Sequence, residues 1–185
     1  MEPAGPVPVK VWDPLVRIAH WTLVASVALA WFSRTGGHLW HQLFGYTALV
    51  TVAIRVLWGF IGPDHARFAS FVCSAQATLR YARLALVARE PRHIGHNPLG
   101  ACMIVVLLVN ITLIGLSGWL YTTTAFWGVE WVDRLHAWLS YLLLGLISLH
   151  VGGVLLASMR HRENLAAAML HGRKRSMQAD PKRPS

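Results

Sequence analysis

Four histidines carry the chemistry this sequence is equipped to do. His136 and His150 share one apolar stretch, RLHAWLSYLLLGLISLH, fourteen residues apart. On an α-helix, fourteen steps of about 100° return to within roughly 40° of the starting face and climb roughly 21 Å. One helix would therefore present two imidazoles on a single face at two levels. His20 stands early in a first apolar stretch and His41 early in a second. Neutral imidazole is a common ligand for transition metals, and ionisable side chains inside apolar spans are costly and mostly functional. For any one of them taken alone, the competing reading is a bundle-facing ring hydrogen-bonded to a neighbouring helix.

The elements that must position these rings are membrane helices. The chain has 185 residues, of which 55% are apolar and only 14% charged, against about 25% charged in an ordinary soluble domain. Its mean hydropathy is +0.44. The net charge of +9 raises the question of nucleic acid. However, the basic residues gather beside the N-terminus, in the 62–97 connection and after Ser158, a positive-inside distribution rather than a binding groove, so no nucleic-acid partner is expected. Cys73 and Cys102 sit in unrelated contexts that suggest no disulfide, and no C-x-x-C-H motif for covalently attached haem occurs. No removable signal peptide is evident, so the first helix is expected to serve as its own insertion signal.

The expected organisation is all-α, an integral membrane four-helix bundle. Residues 1–15 read as a cytoplasmic lead-in, 16–158 as the transmembrane domain and 159–185 as a basic cytoplasmic tail. Spans are expected at about 16–34, 38–61, 97–121 and 132–158, each long enough for a hydrocarbon core of about 30 Å. Trp40 and Trp58 fall where interfacial aromatics belong. Asn97 and Pro98 make a good N-cap and first helical position for the third span, in which Gly115 and Gly118 permit close approach of a neighbour. Between spans two and three, apolar residues from Phe68 to Leu86 recur at helical spacing. They predict an amphipathic helix over 68–88, lying on the membrane surface or packed on the bundle ends. The basic residues put the N-terminus, the 62–97 connection and the tail on the cytoplasmic side, N-in and C-in.

Depth then sorts the histidines. His20 and His150 lie near the inner side, His41 and His136 near the outer side. Two imidazoles per level are too few for a typical non-haem metal site but suit the axial positions of a haem, in a six-coordinate centre built for electron transfer. Gly45, one turn after His41, would let a flat macrocycle lie against its helix. Arg55, fourteen residues beyond His41, and Arg17 are candidate partners for inner haem propionates, with snorkelling to lipid phosphate as the alternative for Arg55.

The chain resembles the bacterial cytochrome b561 family, which includes the cytochrome b subunits of nickel–iron hydrogenases. The resemblance covers about residues 9–175. It rests on VWDPLVRIAHW, HQLFGY, RVLWGFIG, GHNPLGA, LHAW with a histidine fourteen residues on, and ENLAAAMLHGRKR, in that order. It implies a four-helix bundle with two haem b groups, the inner one ligated by His20 and His150 and the outer by His41 and His136. His38 is the one competitor in the second helix, and the family's His-x-x-x-Gly pattern favours His41.

The function expected is a transmembrane b-type cytochrome carrying electrons between the membrane quinone pool and a periplasmic partner, such as a cytochrome c or a hydrogenase or dehydrogenase subunit. The alternatives are a haem-containing anchor subunit of such a complex, a stand-alone superoxide:quinone oxidoreductase and, remotely, a haem-free transporter or channel. His93 and His96 on the inner side, and His38 and Glu130 on the outer, are candidates for a quinone site. His65, His161 and His171 read as solvated. Membrane lipid is the expected surrounding, and a homodimer is compatible with the sequence.

Overall fold

A backbone inside hydrocarbon must satisfy its own amides, so apolar stretches of this length fold as helices. The computed structural model describes residues 8–10, 12–36, 38–87, 89, 97–161 and 163–175. In order these form a short strand β1 (Pro8–Lys10), helices α1 (Pro14–Ser33), α2 (His38–Ile61), α3 (Ala75–Leu86), α4 (Pro98–Tyr121), α5 (Glu130–His161) and α6 (Leu165–His171), and a strand β2 (Arg173–Arg175). Helices α1, α2, α4 and α5 are long and apolar enough to cross a membrane. The protein is a membrane-spanning helical bundle.

Local chemistry sets the starts. Asp13 caps α1 by accepting from the amides of Leu15 (2.9 Å) and Val16 (3.2 Å), with Pro14 following. The same carboxylate accepts from the indole of Trp58 at 3.2 Å, fastening the start of α1 to the end of α2. Asn97 caps α4 through the Gly100 amide at 2.7 Å. Helix α5 runs for 32 residues, roughly 48 Å at 1.5 Å per residue, and so outruns a hydrocarbon core of about 30 Å.

The helices form two antiparallel hairpins, α1–α2 and α4–α5, joined by packing of α2 on α4. Glycine makes that join possible. A Cβ on Gly115 would stand 2.8 Å from Leu49 of α2; within the second hairpin, one on Gly118 would stand 3.1 Å from the His136 ring of α5. Helices α1 and α5 meet through Trp31 and Tyr141, whose ring centroids are 6.0 Å apart.

The connection after α2 differs from a single helix over 68–88. Short 3-10 turns at Asp64–Ala66 and Phe68–Ser70 come first. Phe68 turns inward onto Gly59 and stacks edge-on with Phe60 at 5.6 Å and Phe71 at 5.8 Å. Ser74 then caps a shorter α3 by accepting from Ala77 N at 3.3 Å. This helix packs beside α4 through buried Tyr81 and leaves Leu79 and Leu86 exposed, so it is at once a bundle-end helix and an apolar surface.

After residue 158, where the sequence suggested only a basic tail, α5 continues to His161 and the chain folds back. Helix α6 packs on α5, is capped by Asn164, and ends at Gly172, whose φ of +78° favours glycine. Strand β2 then pairs antiparallel with β1, Pro8 opposite Arg175, and Trp12 N donates to Gly172 O at 3.2 Å. Both ends of the described chain therefore lie at the same end of the bundle. Residues 176–185 fall outside the described ones.

The contact between hairpins is tested by paired glycine substitutions. Gly115→Val drives a side chain into Leu49 and should lower stability by about 1–3 kcal/mol, as overpacking does. Gly145→Ala meets nothing within 4 Å and should be neutral. Thermal unfolding of the detergent-solubilised protein, followed by tryptophan fluorescence, reads the difference.

Candidate functional site

A polar ring placed in a bilayer needs a partner from the protein, because no water is there to supply one. At the end of the bundle opposite the termini, His41 of α2 donates from Nδ1 to the Ala30 carbonyl of α1 at 2.8 Å. His136 of α5 donates from Nδ1 to the Ile114 carbonyl of α4 at 3.1 Å and lies 3.1 Å from Ser117 Oγ. A carbonyl oxygen only accepts, so each Nδ1 carries the proton and each Nε2 is left with its lone pair. The two rings face each other across the hairpins, with centroids 6.0 Å apart and planes inclined at 75°.

That separation has a chemical reading. Two imidazoles on opposite sides of one metal, with metal–nitrogen bonds of about 2 Å, place their ring centroids roughly 6 Å apart. A backbone carbonyl on the far nitrogen is also the usual way to orient a ligating histidine and raise its basicity. Beside His41, nothing lies within 4 Å of a Cβ built on Gly45, leaving open space along that face of α2.

At the other level, His20 of α1 stacks edge-on with Trp21 at 5.1 Å and 88°. Its Nδ1 is buried and has no hydrogen-bond partner among the described residues. His150 of α5 lies within electrostatic reach of His20. Arg55 of α2 is only 5% exposed. Its guanidinium sits 5.1 Å from the centroid of the Phe68 ring, within electrostatic reach of Asp13. One Arg55 nitrogen, Nη1, is buried with no partner among the described residues. A buried, unpartnered guanidinium nitrogen suits an anionic group, and two imidazoles within electrostatic reach of each other suit a metal carried by that group. The residues present fit a haem.

The remaining candidates are placed differently. Arg17 donates from Nε to Met169 O at 3.3 Å and from Nη2 to Leu170 O, so it binds the end of α6. His38 is exposed at the start of α2. Glu130 is exposed and ion-paired with Arg134. His93 and His96 lie outside the described residues. Among the described residues, no three His, Cys, Asp or Glu side chains converge as a metal cluster.

Sequence reasoning passed over two side chains of α4. Ser117 stands beside His136, and Asn110, 3% exposed, has an Oδ1 with no partner among the described residues. The available signal was Ser117 lying between Gly115 and Gly118, at the level where α4 meets His136.

The family profile described as prokaryotic cytochrome b561 covers residues 11–172. Neither the curated proteins nor the solved structures give a match. The profile spans both hairpins, all four histidines and the α6 segment, and on that extent the chain belongs to the prokaryotic cytochrome b561 family, membrane b-type cytochromes of electron transfer.

Proposed function

We propose that this chain holds two haem b groups at two depths and passes electrons between a periplasmic redox partner and the membrane quinone pool. The observation that carries the reading is the His41–His136 pair, two rings from different hairpins at ligation distance with both Nδ1 atoms tied to backbone carbonyls. His41 and His136 would hold one haem, and His20 and His150 the other. Arg55 supplies positive charge for propionates at the level of His20 and His150. Gly45 leaves room for the ring edge. A haem ligated on both faces changes oxidation state without binding oxygen, which is the chemistry of a carrier.

The protein's own work is positional. The hairpin bonds hold His41 and His136 in the tautomer that ligates. The terminal side of the bundle, with α3 and the basic residues beyond α5, faces the cytoplasm by the positive-inside rule. The His20–His150 pair is then the inner one, and the membrane is the bacterial inner membrane.

Two measurements test this. The purified protein should show a b-type spectrum and about two haems per chain by pyridine haemochrome. His136→Ala and His150→Ala should each remove about half of the haem, and different spectral components. One haem or none in the parent protein, or the same component lost in both variants, overturns the reading.

The Ser117 contact yields a finer expectation. Ser117→Ala takes a polar neighbour from His136 Nδ1 and leaves the Ile114 carbonyl, so haem should be retained. The weakened ligand should raise the midpoint potential of one component by tens of millivolts, a tenfold change being about 59 mV for one electron. Spectroelectrochemical titration should show the other component unmoved.

A further inference from the structure

A groove of about 750 Å³ runs along the outside of the α1–α2 pair, on the side of α1 turned away from the histidines. Leu29 in its lining stands nine residues after His20, half a turn around the helix. Its walls are mostly apolar, with Thr22 and Thr47 among them; Ile18, Leu29 and Leu43 are exposed at the rim, and Ser26, 4% exposed, lies at its floor. One end is closed by Arg17 and by Leu170 of α6, and no acidic residue lines it.

Length and charge identify the occupant. From Arg17 to Leu29 is twelve residues, about 18 Å along the helix, close to one leaflet's share of a hydrocarbon core of about 30 Å. An object with an apolar body of one leaflet's length and an anion at the headgroup level would fill it. The Arg17 guanidinium is fixed in place by the Met169 and Leu170 carbonyls, both neutral acceptors, and it forms no ion pair among the described residues. A guanidinium suits phosphate through paired donors.

We propose that this groove binds one anionic phospholipid, with an acyl chain between α1 and α2 and its phosphate on Arg17. Helix α6 builds the site by orienting Arg17 and walling the headgroup end. A quinone is the poorer fit, because the lining offers no carboxylate or imidazole to exchange the protons that quinone chemistry moves. The site is independent of the haem assignment.

The test uses the full-length haem-loaded protein in detergent, stripped of lipid and titrated with phosphatidylglycerol or phosphatidylcholine under native mass spectrometry. One phosphatidylglycerol per chain should bind at least tenfold more tightly than phosphatidylcholine. Arg17→Gln should erase that preference and Arg17→Lys should keep it. Ser26→Phe, which fills the floor, should weaken both lipids, with the haem spectrum reporting that each variant is folded. Equal binding of the two lipids by the parent protein, an unchanged preference in Arg17→Gln, loss of haem rather than lipid in that variant, or retention of quinone in place of phospholipid would overturn the proposal.

Discussion

Hydrocarbon offers a buried imidazole no partner, and the rest of this structure follows from how that need is met. Each of the bonds to His41 and His136 stays within one hairpin: His41 reaches back to Ala30 across α1–α2, and His136 reaches Ile114 across α4–α5. The bond that relieves the ring also fixes the register of its hairpin. What remains free is the approach of one hairpin to the other, and Gly115 sets that by admitting Leu49. The 6.0 Å separation of the rings is thus the joint product of two internal registers and one glycine contact, with no loop involved.

At the other end the helices are tied together by the chain's own termini. Asp13 serves α1 as a cap and α2 as an acceptor for Trp58. Arg17 ties α1 to α6, and α6 rests on α5. Helices α1 and α5, which carry His20 and His150, are bridged beneath the bundle by a segment that is not itself a span. The β1–β2 ribbon repeats that closure in the backbone. The end of the bundle with an unsatisfied His20 nitrogen and a buried Arg55 is therefore the end where the chain invests the most connections outside its spans.

Much of this was legible in the sequence because the bilayer imposes strong rules. Four apolar runs, the Asn97–Pro98 start and the fourteen-residue histidine spacing are written in single residues or simple periods. The return of the tail was not, since ENLAAAMLHGRKR shows its charge before its seven-residue helix. Arg17 was read from its depth, while its partners lie 152 and 153 residues away. Ser117 and Asn110 are polar without being charged, so no charge marks them within the apolar third span. Phe68 and Phe71 matched a helical period, yet each is drawn into the bundle end, where packing overrides periodicity.

The length of α5 between its two histidines has an electrical meaning. In the two-haem reading, an electron moving between the levels travels along the membrane normal through about 21 Å of a layer about 30 Å thick. A full crossing costs or yields about 2.3 kcal/mol per 100 mV of membrane potential, so this step would feel about 1.6 kcal/mol of it. The equilibrium between the two centres would then shift with the energisation of the membrane by more than tenfold per 100 mV. In that reading, the spacing of His136 and His150 along the fourth span would set how strongly the electron equilibrium responds to membrane potential.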